Sequence, residues 1–101
     1  MKTAYLMVLA CCVMLANVQA ADLEAGRSKA YLCTECHGDR GISNIGHYPN
    51  LAGQKYDYLV LALQAYKNRV RPDPTMQIMA QNLSETDIEN IAAWFSSLSC
   101  R

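Results

Sequence analysis

The sequence predicts an all-α domain of three main helices, one long loop and a short turn. Three observations predict it. Apolar residues recur at i, i+3 and i+4 in three separate stretches, and none alternates in the manner of a strand. Glycines and prolines gather between those stretches and almost never inside them. Finally, Cys33-Thr34-Glu35-Cys36-His37 sets two thiols and an imidazole at i, i+3 and i+4, one side of a helical turn.

The N-terminus reads as an export leader. Lys2 supplies a positive start, Ala4 to Ala16 form a short apolar core, and Asn17-Val18-Gln19-Ala20 end in a V-x-A site, so cleavage is expected after Ala20. The domains expected are therefore a signal peptide over 1–20 and one folded domain over 21–101. The apolar run is short for a spanning helix, and no later stretch could cross a bilayer. Val8-Leu9-Ala10-Cys11 faintly matches a lipoprotein box, but the apolar run continues past Cys11, which argues against lipidation. Loss of Lys2 with the leader leaves eight basic and nine acidic residues, a net of −1. Such a balance offers no basic patch for nucleic acid.

The first helix is expected from Asp22 to about Cys36. Asp22 suits an N-cap, Asp22 and Glu24 suit the positive end of the dipole, and Leu23, Gly26, Ala30 and Cys33 recur at helical spacing. Gly26 is costly in a helix interior, and is either a tolerated weak spot or the place where another helix approaches closely. From His37 to Gly53 the chain reads as a loop, punctuated by Gly38, Gly41, Gly46, Pro49, Asn50 and Gly53. A loop of 17 residues in so small a domain needs a reason, and wrapping the edge of a prosthetic group would be one.

The second helix is expected from Gln54 to about Val70, with Tyr56, Leu59, Val60, Leu63, Tyr66 and Val70 along one face. Lys67, Arg69 and Arg71 lie near its C-terminal end, where positive charge is favoured. Pro72-Asp73-Pro74 stops it, and Met76 to Asn82 is expected to be a loop or a single turn. The last helix starts at Ser84, which can cap it, with Asp87 three places on in a capping-box-like S-x-x-D. Its apolar stripe is Ile88, Ile91, Ala92, Phe95 and Leu98.

C-x-x-C-H is the attachment signature of a c-type haem. The thiols of Cys33 and Cys36 can add to the two porphyrin vinyl groups, and His37 can bind the iron from one side. A covalently held haem c would also staple a domain whose core alone is marginal. For the other side of the iron, Met76 and Met79 are the two methionines left outside the leader, 39 and 42 residues beyond His37. Met76, just after Pro-Asp-Pro-Thr, is the preferred ligand; Met79 is expected to pack. His47 is a rival, too near His37 in the chain to reach the far face with ease. The imidazole of His37 needs an acceptor for its second N–H, and the Pro49 carbonyl is the best candidate. A zinc site built from Cys33, Cys36, His47 and Cys100 is the alternative reading of the same residues.

The domain over 21–101 resembles the small class I bacterial c-type cytochromes, of the c-553, c4 and c5 type. The resemblance rests on Gly26, Cys33-x-x-Cys36-His37-Gly38, Pro49-x-Leu51-Ala52-Gly53-Gln54, Tyr58-Leu59, Tyr66, Arg71, Met76, Leu83-Ser84-x-x-Asp87-Ile88 and Ala92-Ala93-Trp94-Phe95. It implies a cytochrome c-like fold around one haem. It further implies Met76 as distal ligand, a Gly26–Trp94 contact between first and last helices, and Pro49 as partner of His37. Two departures stand out. Arg69 occupies a place where these proteins often have glycine, so the second helix is expected to end differently. Cys100 is left over once Cys33 and Cys36 hold haem, and is a candidate for a free thiol or a disulfide-linked dimer.

The function expected is single-electron transfer in the periplasm between transient redox partners, with no catalysis by this chain alone. Two alternatives are a haem subunit of a larger dehydrogenase or oxidase, and a ligand-binding haem protein with a labile Met76.

Overall fold

In the computed structural model, residues 20–100 are described; the expected leader, save Ala20, lies outside them. The helices are α1 (Leu23–Lys29), α2 (Thr34–His37), α3 (Tyr56–Lys67), α4 (Pro74–Ala80) and α5 (Glu85–Ser97). No strand occurs among the described residues.

The first expected helix is one rod in three parts, α1 running through a 3₁₀ turn (Ala30–Cys33) into α2. Asp22 caps it as expected, its Oδ1 accepting from the Ala25 N–H at 3.1 Å. Gly26 and Ala30 are buried, whereas Leu23, on the same expected stripe, is exposed. The rod stops after His37 because Gly38 has φ 87°; a Cβ there would meet the Ile42 carbonyl oxygen at 1.8 Å.

Rod and α5 cross at Gly26. A Cβ on Gly26 would lie 2.0 Å from Asn90 O and 3.1 Å from Trp94 Cβ, so only a glycine permits this approach. The crossing is tied by the Asp22 N–H donating to Asn90 Oδ1 at 2.9 Å and by an ion pair of Lys29 with Asp87 at 3.4 Å. The capping box of α5 is complete: the Asp87 N–H donates to Ser84 Oγ and the Ser84 N–H to Asp87 Oδ2, each at 3.0 Å. Those bonds from Ser84, with Lys29 close by, hold the Asp87 carboxyl below its ordinary value.

All five residues of the expected α5 stripe are buried, and α5 is the centre of the core. Ile91, Ala92, Phe95 and Leu98 pack with Ala30, Ala52 and Leu59; Cys33, Ile42, Leu51, Val60, Leu63 and Leu83 are half-buried against them. Fully burying Phe95 or Ile88 stabilises by about 1.5–3 kcal/mol each.

The second helix is shorter than its apolar spacing suggests, and Val70 lies beyond its end, exposed. The prolines do not end it. Arg69 does, by taking φ 60°. The Val70 N–H then donates to Ala65 O at 2.9 Å and the Arg69 N–H to Tyr66 O at 3.0 Å, a Schellman pair. The helix thus ends in the usual way, with arginine in the glycine place. A left-handed residue with a Cβ costs roughly 1–2 kcal/mol, and glycine's extra unfolded freedom costs roughly 0.5–1. Arg69→Gly is therefore expected to raise the unfolding midpoint by about 2–6 °C. An unchanged or lower midpoint in thermal unfolding would contradict this.

The expected short turn is a helix. Pro74 sits in its first turn, where a proline's missing N–H costs nothing, and Asp73 caps it through Oδ1 to the Met76 N–H at 3.1 Å. Lys67 ties α3 to the segment before α5 through the Leu83 carbonyl, and Gln64 Nε2 donates to Glu85 at 2.8 Å.

Candidate functional site

Cys33 closes the 3₁₀ turn, and Cys36 and His37 lie on α2, so the rod presents all three in just over one helical turn. None of Cys33, Cys36 and Cys100 forms a disulfide. Cys33 and Cys36 are half-buried, while Cys100 is exposed, beside Gly53. Burial pushes the Cys33 thiol above its ordinary value, and neighbouring Cys36 adds to the effect.

His37 is the one buried polar side chain of the described core, 8% exposed. Its Nδ1 lies 2.7 Å from Pro49 O. A carbonyl oxygen only accepts, so Nδ1 must carry a proton, and in the neutral ring Nε2 carries the lone pair. That tautomer is the one a metal-binding imidazole needs.

The loop between Gly38 and Lys55 is braced to the rod. Ser43 Oγ donates to Cys36 O at 2.9 Å, and the Ser43 N–H donates to Asn50 Oδ1 at 2.7 Å. The Leu51 and Ala52 N–H groups both donate to Gly41 O. These bonds fix the stretch that carries Pro49. In the sequence Asn50 reads as loop punctuation but not as a brace, and Ser43 is not singled out; the usable signal was that Ser and Asn side chains commonly bond loop backbone.

Met76 is half-buried in the first half of α4, one turn before the fully buried Ala80. Met79 is 39% exposed. His47 is exposed, with its ring 4.5 Å from that of Tyr48, which stands 6.3 Å from His37. Among the described residues no three of His, Cys, Asp and Glu are grouped as a metal site, so Cys33, Cys36, His47 and Cys100 do not assemble as zinc ligands.

Two unpaired thiols and a pre-set imidazole on one helical turn fit a covalently attached haem. The Cytochrome c family model matches residues 24–99. The chain belongs to the cytochrome c family. Cytochrome c-554(548) of Halomonas halodenitrificans is 42% identical over 81 residues, 77% of this chain and 98% of that protein. Cytochrome c4 of Pseudomonas aeruginosa is 40% identical over 78 residues, 77% of this chain but 39% of that protein. The crystal structure of reduced recombinant cytochrome c4 from Pseudomonas stutzeri superposes with a TM-score of 0.75 at 39% identity, over 79% of this chain and 47% of that one. The chain thus spans nearly all of the first relative and less than half of these two cytochromes c4. As a cytochrome c it is an electron carrier with covalent haem c, and Cys33 and Cys36 stand at the attachment spacing. No helix among the described residues is long and apolar enough to cross a membrane.

Proposed function

We propose that this cytochrome c is a periplasmic carrier of single electrons whose haem iron is held between His37 and Met76. The observation that carries the reading is the His37–Pro49 bond. It fixes the ring, puts the lone pair on Nε2 and makes the imidazole a stronger donor.

Haem iron supplies the ferric–ferrous couple. The chain's residues decide how that couple behaves. Cys33 and Cys36 would hold the ring to the rod by thioethers. His37 offers nitrogen from a buried, hydrogen-bonded ring. Met76 offers a soft thioether, which favours the reduced state and raises the potential. With both positions taken there is no place for a substrate, which is why the role proposed is transfer and not catalysis. Export to the periplasm is supported by the leader-like 1–20 segment and by the start of the family match at residue 24.

Electrons would pass where the rod reaches the surface. Tyr31 and Leu32, just ahead of Cys33, are 71% and 63% exposed, and an open cleft beside Cys36 is rimmed by Glu35, Asp39 and Arg40. An apolar contact with charges of both signs around it suits small, weak, short-lived redox encounters.

The test is to express the full chain with haem-maturation machinery and titrate the exported product. A cleaved, coloured protein with one reversible one-electron transition, which binds no carbon monoxide when reduced at neutral pH, is expected. A colourless yet folded product would refute the reading, and carbon monoxide binding would replace the fixed Met76 by a labile one.

A further inference from the structure

We propose that Asp73 is a positioning residue for the methionine ligand: by accepting the Met76 N–H, its carboxylate sets how often Met76 lets go of the iron. The proposal rests on Met76 being that ligand.

Helix α4 has only seven residues, too few to be stable alone. Its start is therefore the weak point, and Met76 is in its first turn. The approach from α3 is closely constrained. Pro72 and Pro74 each lock φ, and Asp73, preceding a proline, is extended with φ −153° and ψ 103°. The Asp73 N–H donates to Arg71 O at 3.1 Å, and Gln77 Nε2 reaches the same oxygen at 2.9 Å. The Arg71 guanidinium stacks 4.9 Å from the Tyr66 ring centroid, and its Nη1 lies 3.4 Å from the Tyr58 hydroxyl, so the turn is fastened to α3. Each of these bonds fixes the turn. The bond from the Met76 N–H to Asp73 Oδ1 at 3.1 Å passes that order on to Met76 itself. Without it, the first turn of α4 frays while the prolines and Arg71 stay in place.

Imidazole binding to the ferric holoprotein reads this directly, since added imidazole takes the place that Met76 vacates. Asp73→Ala is expected to raise the apparent imidazole affinity about fivefold, the usual strength of an N-cap, and to speed hydrogen exchange at the Met76 amide. Asp73→Asn, which keeps an oxygen for that amide, should stay within about twofold of wild type. Ser84→Ala removes the comparable cap of α5 and should lower thermal stability while leaving imidazole affinity unchanged. The proposal is overturned if Asp73→Ala binds imidazole as wild type does, or if Ser84→Ala raises the affinity equally. Met76→Leu, run alongside, separates the two readings: if it binds imidazole no better than wild type, Met76 is not the ligand and the fault lies there.

Discussion

Gly26→Ala is expected to lower the thermal unfolding midpoint by about 10–20 °C. Two effects oppose each other. Alanine is the better helix former by roughly 0.5–1 kcal/mol, which favours the variant. Against it, the new Cβ would stand 2.0 Å from Asn90 O and 2.6 Å from Asn90 C. Overpacking a side chain typically costs 1–3 kcal/mol because side chains can rotate away. Here the obstacle is backbone inside α5, which yields only if the two helices separate. Separation would strain the Asp22–Asn90 bond and loosen Trp94, and a net loss of about 2–3 kcal/mol follows. The rod is continuous from Gly26 to His37, so the shift also reaches Cys33, Cys36 and His37. Lower yield of haem-loaded protein should accompany the lower midpoint. A variant as stable as wild type would mean that the crossing is looser than described.

Much of this was readable in the residues, and where it was not the reason is physical. The start of α5 and the start of the rod were legible because caps are local chemistry: Ser84 with Asp87, and Asp22 with the Ala25 amide, act within three residues of themselves. The α5 stripe was legible because all of its positions are buried. The same spacing over-reached in α3, where Val70 continues the apolar period past a helix already closed by Arg69. Periodicity registers hydrophobicity and is blind to a left-handed backbone. The Pro-Asp-Pro run misled in the opposite sense. Read as a stop, it is also the start of α4, because Asp before Pro is a good cap with a good first-turn residue behind it. At the site, Cys33, Cys36 and His37 were legible from spacing, and the Pro49 carbonyl from what an imidazole needs. The braces of Ser43 and Asn50 were not, since they depend on how a loop without periodicity folds back.

Met76→Leu is expected to abolish the sulfur-to-ferric-iron absorption band, to lower the midpoint potential by on the order of 0.1 V or more, and to let carbon monoxide bind the reduced protein. Leucine nearly conserves volume, so the fold should lose less than about 1.5 kcal/mol, and the spectral change isolates the ligand. Met79→Leu is the control, because it removes the other thioether of the same helix. The two differ in setting. Met76 is half-buried, with its amide held by Asp73, one turn before buried Ala80; Met79 is 39% exposed. A ligand must hold one position against thermal motion, and a half-buried side chain anchored at its own backbone does so better than one in solvent. His47 is a weaker rival, exposed and with its ring tilted against that of Tyr48 in the loop that also carries Pro49. Met79→Leu should therefore leave the band intact and move the potential by no more than a small fraction of the Met76→Leu shift. Should Met79→Leu be the variant that loses the band, the assignment is reversed, and Met79 is the residue that α4 presents to the iron.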